Sequence, residues 1–138
     1  MSDGCIFCKI VRGEAPSFRV REDDLTLAFM DIFPVAHGHT LIIPKQHCTD
    51  IFSASEALLS GVAAASLTIA RAIDRELSPD GLGIFQLNRA AAGQTVFHYH
   101  THLIPRMTGD TLAIHSRVRG DDGDLAEVAR ALSAACER

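Results

Sequence analysis

The stretch Gln94-Thr95-Val96-Phe97-His98-Tyr99-His100-Thr101-His102-Leu103-Ile104-Pro105-Arg106 places three histidines at strict two-residue spacing. β-Branched and aromatic residues stand between and before them, and that composition predicts a strand. Strand side chains alternate faces, so His98, His100 and His102 would share one row, with neighbours roughly 6.6 Å apart. Tyr99, Thr101 and Leu103 would point the other way, into packing. A row of imidazoles is poor core material, because each buried ring needs a hydrogen-bond partner or a ligand. The plainer alternative is a set of incidental histidines on a solvated face. The turn and polar residues just upstream weigh against it.

Two chemistries suit such a row. One is a metal site of the His-x-His type with a reactive water on zinc. Such sites usually add another ligand a short step away, and Leu103-Ile104-Pro105 supplies none. The other makes the middle histidine a nucleophile. A neutral imidazole with one nitrogen pinned by a hydrogen bond attacks phosphorus through the other, and a neighbouring histidine assists the leaving group. Gln94 and Thr95 then stand as short-range donors for phosphate oxygens. The second chemistry accounts for more of the stretch.

Cys5-x-x-Cys8 is half of a zinc site, since tetrahedral zinc takes four sulfur or nitrogen ligands. Cys48 and Cys136 have no partner spacing, so the other half must be two histidines. His37, His39, His47, His98 and His115 are all available, and spacing does not choose among them. The alternative is two small buried thiols packing an N-terminal segment.

The elements that must position these groups follow from pattern. The chain has 138 residues, 47% apolar and 22% charged, which fits one globular domain over residues 1–138. The net charge is −4 with His neutral. Without a dense basic run, backbone binding to nucleic acid is not expected. No apolar stretch approaches a membrane span, and Met1-Ser2-Asp3-Gly4 lacks a positive leader, so no membrane association and a cytoplasmic location are expected. Residues 4–11 read as a knuckle or short helical turn. Phe18–Arg21 and Leu25–Phe29 make a hairpin with a polar tip. Residues 31–38 form a loop, and His39–Pro44 an inner strand. Ser53-x-x-Glu56 predicts a capped helix start, with Leu59, Val62, Ser66, Ile69 and Ile73 as its apolar stripe. Leu82–Asn88 gives the fourth strand, and the histidine stretch the fifth. A last helix follows Asp124, burying Leu125, Val128 and Leu132. The fold class is α+β: five mostly antiparallel strands with one long and one C-terminal helix.

His98-Tyr99-His100-Thr101-His102-Leu103-Ile104 resembles the His-φ-His-φ-His-φ-φ signature of the histidine triad (HIT) superfamily. Gly93-Gln94-Thr95-Val96-Phe97 and Ile104-Pro105-Arg106 fit around it. So do Cys5-Ile6-Phe7-Cys8-Lys9-Ile10, Ala28-Phe29-x-Asp31-Ile32 and Gly38-His39-Thr40-Leu41-Ile42-Ile43-Pro44-Lys45-x-His47. The similarity covers residues 5–106 and is nearest to the small bacterial members of the Hint-like branch; residues 107–138 form the segment that varies among branches.

The resemblance implies a nucleotide hydrolase or transferase acting at the α-phosphate of nucleoside phosphate derivatives, phosphoramidates or dinucleoside polyphosphates among them. His100 matches the nucleophile, and His102 the histidine that contacts phosphate and aids departure. Gly93, Gln94 and Thr95 match the phosphate side, Asn88 a substrate-orienting asparagine, and Asp31 the acid that binds ribose hydroxyls. Ile6, Phe7, Ile10, Phe29 and Ile32 match the apolar slot for a purine base. Members with the early Cys-x-x-Cys bind structural zinc, which implies Cys5, Cys8, His47 and His98 as ligands. A homodimer is implied as well. Two departures stand out. Arg89-Ala90-Ala91-Ala92-Gly93 is poorer in glycine than many relatives, and Thr101 fills a position usually apolar. The rival to an enzyme is a zinc-stabilised nucleotide-binding or interaction module with little turnover.

Overall fold

The computed structural model describes residues 4–137. The leader reading on Met1, Ser2 and Asp3 lies outside the described residues. A short helix α1 (Ile6–Arg12) is followed by the hairpin β1 (Arg19–Glu22) and β2 (Thr26–Met30), then by β3 (Thr40–Pro44). The long helix α2 (Glu56–Leu77) leads to β4 (Gly81–Gln86), β5 (Thr101–Arg106) and the last helix α3 (Asp122–Cys136). The five strands form one sheet in the order β1-β2-β3-β5-β4, with every pair antiparallel. This is the α+β architecture expected, and β3 is the inner strand.

Strand alternation sends each face of the sheet to a different core. Ala28, Met30, Ile42 and Leu103 pack with Val62, Ile69 and Ile73 of α2 and with Val128 and Leu132 of α3. Leu27, Phe29, Leu41 and Ile43 face the other way, against Phe7 and Ile10 of α1. Leu41 pairs with His102 across β3 and β5, so His102 belongs to the α1 side. Tyr99 and Leu103 join the helical core, as the alternation requires.

The strands of the hairpin, β3 and β4 are each displaced by one or two residues from the sequence reading, and three further boundaries differ for local reasons. Regular pairing in the histidine strand begins only at Thr101, so His98 and His100 sit in an irregular lead-in. The β3–β5 ladder closes at Ile42↔Thr101, and Pro44 has no N–H with which to extend it. The Tyr99 N–H goes instead to the Cys48 carbonyl at 2.7 Å. Helix α2 is capped by Ser55, whose hydroxyl accepts from the Leu58 N–H, and not by Ser53. Ser53 closes a preceding 3-10 turn over Ile51–Ser53 that Asp50 caps. The helix therefore starts later and buries Leu58 and Ala65 beside Val62, Ile69 and Ile73, leaving Leu59 and Ser66 half-buried. Helix α3 begins before Asp124, with Asp121 accepting from the Asp124 N–H. By length and composition α2 is apolar enough to cross a membrane, with a mean hydropathy of 1.4 over its best window. Its buried stripe is taken up by the sheet and by α3, which is how a core helix satisfies the same composition.

Candidate functional site

Two groups of side chains converge on the α1 face. In the first, Cys5 caps α1 and its sulfur accepts from the Cys8 N–H at 3.4 Å. His47 follows the end of β3, and His98 lies in the lead-in to β5. Cys5 Sγ is 3.3 Å from His98 Nδ1, and Cys8 Sγ is 3.4 Å from His47 Nδ1 and 3.6 Å from His98 Nδ1. The two Nδ1 atoms are 3.1 Å apart. Tetrahedral S₂N₂ coordination, with bonds of about 2.3 and 2.0–2.1 Å, separates ligand atoms by roughly 3.3–3.8 Å. The tautomer fits too. His98 Nε2–H donates to the Pro44 carbonyl at 2.8 Å, which leaves the Nδ1 lone pair facing the cluster. Burial is the main influence raising the Cys5 thiol, and the Cys8 N–H opposes it. The four ligands implied by resemblance are thus brought together in an arrangement compatible with zinc. Of the other candidates, His39 bonds His102, His115 bonds the Gly93 carbonyl, and His37 is exposed.

The second group contains His100 and His102, whose ring centroids are 5.0 Å apart, closer than an ideal strand row. His100 donates from Nδ1 to the His98 carbonyl at 2.7 Å, so its Nε2 carries a lone pair. Phe7 meets this ring edge-on at 5.3 Å. Burial, above all, lowers the pKa of His100 and favours the neutral imidazole.

His39 decides the tautomer of His102. The Val35 N–H donates to His39 Nδ1 at 3.1 Å, which puts the His39 proton on Nε2. That N–H donates to His102 Nδ1 at 2.9 Å, so His102 carries its proton on Nε2. His102 Nε2 is buried and has no partner among the described residues. A buried, unpaired donor next to a neutral nucleophile is a place for an anionic oxygen. The His102 ring stacks on Phe85 at 4.7 Å. Burial, then the nearby His100 and His39, depress its pKa to about 3. Burial likewise takes His39 down to about 4. Asp31 Oδ2 lies 3.4 Å from His39 Nε2, while Oδ1 accepts from the Phe33 N–H. Asp31, His39 and His102 also lie within metal-binding reach of one another. The proton on His39 Nε2 makes His39 and His102 a hydrogen-bonded relay instead, with Asp31 beside it. His39 entered the sequence reading only as one of five possible zinc ligands. Its position at the head of the strand that pairs with the histidine strand was the available signal.

A cavity of about 700 Å³ opens between α1 and the sheet. Ile6, Phe7, Ile10, Phe29 and Ile32 give it an apolar end, and Asp31, Thr95, His100 and His102 also line it. Asn88, Gly93 and Gln94 are not among its lining residues. The Gln94 carboxamide is consumed by its own loop. Its oxygen accepts from the Arg89 N–H at 2.6 Å, and its nitrogen donates to the Thr49 and Val96 carbonyls. Asn88 exchanges hydrogen bonds with Gln86 and accepts from the Ile51 N–H. Gly93 turns the chain at φ +105°, where a Cβ would press on Leu87 at 3.2 Å. These residues shape the loop that delivers Thr95 and the histidines. The segment after β5 adds Ile114, His115, Ser116 and Arg117 to the cavity wall; of these the sequence reading named only His115, as a possible zinc ligand.

An open antiparallel sheet with a histidine-lined cavity beside a Cys/His cluster defines the class of α+β protein. The HIT domain model matches residues 12–109. A HIT-like protein from Bartonella henselae superposes with a TM-score of 0.91 at 41% identity, covering 98% of each chain. A zinc-bound histidine triad protein from Mycobacterium smegmatis gives 0.86 at 41%, over 97% of this chain and 94% of that one. Among sequences, the Arabidopsis thaliana protein named adenylylsulfatase HINT3 is 38% identical over 112 residues, which is 81% of this chain and 57% of that protein. The chain belongs to the HIT family, a superfamily of nucleotide-binding hydrolases and transferases.

Proposed function

We propose that the protein is a nucleotidyl hydrolase or transferase working through a covalent nucleotidyl-histidine on His100. The base lies in the apolar end formed by Ile6, Phe7, Ile10, Phe29 and Ile32, and Asp31 accepts from ribose hydroxyls. The α-phosphate then sits between His100 and His102. His100 Nε2 forms a bond to phosphorus, and the bond to the leaving group breaks with its electron pair going to the departing atom. The positive charge on the new imidazolium is met by the His98 carbonyl, which already holds Nδ1–H. His102 Nε2–H donates to the phosphate side, its tautomer held by His39. Water or another acceptor then attacks phosphorus, the P–N bond breaks, and neutral His100 returns.

Cys5, Cys8, His47 and His98 would hold a zinc ion, which when bound supplies a cross-link between α1, the end of β3 and the lead-in to β5. We place the working form as a cytoplasmic homodimer. The zinc-bound Mycobacterium smegmatis relative and the adenylylsulfatase name carried by the Arabidopsis relative support the metal and the activity class.

The observation that carries the reading is the pairing of a His100 Nε2 lone pair with the unpartnered His102 Nε2–H in one cavity. The test is acid-labile retention of label on the protein after mixing with an α-phosphate-labelled nucleoside phosphoramidate or dinucleoside polyphosphate. Wild type should retain label and turn over substrate; His100→Ala should do neither. Equal turnover by both would end the proposal. Nucleotide affinity without any burst of leaving group would favour a binding module.

A further inference from the structure

Helix α1 and its Cys5 cap belong to two sites at once. Cys5 and Cys8 are members of the metal cluster, while Ile6, Phe7 and Ile10 line the cavity. The two sets interleave, so Phe7 has one cluster sulfur two residues before it and another immediately after it. Its ring touches both sites as well. It meets His98 of the cluster edge-on at 5.8 Å and His100 of the cavity edge-on at 5.3 Å. A third edge-on contact, at 5.4 Å, joins it to Phe29 at the apolar end of the cavity.

The attachments of α1 to the sheet lie at its two ends and its middle. The turn that follows it closes locally, the Glu14 and Ala15 N–H groups both returning to the Lys9 carbonyl. Near the C-terminal end, Arg19 of β1 donates to the Ile10 carbonyl at 2.7 Å. In the middle, Phe7 and Ile10 pack on Leu27, Phe29, Leu41 and Ile43. At the N-terminal end, the Cys5 and Cys8 sulfurs lie 3.3–3.6 Å from imidazole nitrogens of His47 and His98. Thiol–imidazole contacts are weak hydrogen bonds, whereas the same four atoms closed on one ion form a cross-link. A helix of seven residues does not hold its place by helical propensity alone. The cluster therefore decides how firmly the N-terminal end of α1, and Phe7 with it, is seated.

We propose that α1 makes zinc binding and nucleotide binding mutually reinforcing, with Phe7 as the positioning residue that transmits the effect. The proposal rests on the reading above of the apolar end as the slot for the base. With zinc held by Cys5, Cys8, His47 and His98, Phe7 is fixed in the wall and nucleotide affinity rises. A base among Ile6, Phe7 and Ile10 in turn holds α1 down from the cavity side, and zinc affinity rises by the same factor, because coupling between two sites is reciprocal. The effect falls on binding and not on bond breaking, so kcat at saturation is unchanged.

The test uses the full chain, with adenosine 5′-monophosphate as the probe. Its Kd is measured by calorimetry on zinc-loaded and on chelator-stripped protein, with circular dichroism to show that the stripped protein is folded. Stripping should raise that Kd roughly tenfold, within the usual range of coupling between two sites. The zinc Kd, from competition with a chromophoric chelator, should fall by the same factor when the nucleotide is saturating. Phe7→Ala keeps all four ligands. It should still take up zinc, bind the nucleotide more weakly, and bring the coupling factor down to about two or less; Phe7→Leu, which keeps apolar volume, should lie between. If the stripped protein does not stay folded, the factor is read on loaded protein, as the slowing of zinc release to excess chelator by saturating nucleotide, in wild type against the Phe7 variants. Equal nucleotide affinity with and without zinc, or release slowed equally in wild type and variants, would overturn the coupling and leave the base slot standing. Zinc-loaded wild type that binds no nucleotide would overturn the base-slot reading and this proposal with it.

Discussion

Replacing His39 tests the relay without touching the nucleophile. His39→Ala removes the Nε2–H that donates to His102 Nδ1 at 2.9 Å and the Nδ1 that accepts from Val35. His102 Nδ1 is then left buried without its donor, and the ring no longer has a reason to keep its proton on Nε2. A lost buried hydrogen bond with an orphaned partner costs about 1–3 kcal/mol. If about 1–2 kcal/mol of this is expressed in the transition state, kcat falls roughly 5- to 30-fold. His39→Gln places an amide N–H where Nε2–H was and should restore most of kcat, which a loss through general loosening of the fold would not allow. The assay is steady-state hydrolysis of a fluorogenic nucleoside phosphoramidate, with imidazole ¹⁵N NMR to read the His102 tautomer. Wild type should show His102 protonated at Nε2, and His39→Ala should show a mixture. Unchanged kcat in His39→Ala, with the Nε2–H tautomer intact, would refute the relay.

Acid should act through the same rings. His39 and His102 have folded-state pKa values depressed from 6.5 to about 4 and about 3, so below pH 6.5 the unfolded chain binds protons that the folded chain refuses. Stability is therefore full above that value and falls with acid until the folded values are reached, by about 1.4 kcal/mol per pH unit for each group. Urea midpoints between pH 7 and 4.5 measure it, and His39→Gln should lower the slope by about one proton; an identical slope would contradict the assignment. For the metal cluster, one zinc per chain is expected by elemental analysis and none in Cys8→Ser, with a lower melting temperature. Because zinc is assigned no chemical step, chelated protein held well below its melting temperature should keep most of its saturating rate, and a saturating rate falling in proportion to metal content would argue for metal-water chemistry. Gly93→Ala places a side chain at φ +105° against Leu87 and should cost about 1–2 kcal/mol in urea denaturation, with no cost excluding that strain.

Several features were legible because they depend on local pattern. Alternation foretold that Tyr99 and Leu103 join the helical core, and it held at Tyr99 even though regular pairing begins only at Thr101. The α2 boundary was misread because Ser53 and Ser55 both precede Glu56 at plausible capping distances. The 3-10 turn closed by Asp50 and Ser53 decided between them. Gln94 was read as a phosphate donor from its place beside the motif. Only the loop's demand for partners for the Arg89 N–H and two carbonyls shows where its amide is spent.

The sequence by itself determined the α+β class, the two-residue spacing of His98, His100 and His102, and, through resemblance, the pairing of Cys5 and Cys8 with His47 and His98. These follow from residue type and short-range period. Tertiary structure decided the protons. His98 turns its lone pair to the cysteines because Pro44 takes its N–H, and His102 presents Nε2–H because His39, from a strand 63 residues away, fills its other nitrogen. It also decided that His115 and Arg117 reach the cavity. A tautomer or a cavity wall depends on which backbone groups stand opposite a ring, and that is settled only when distant strands and loops meet.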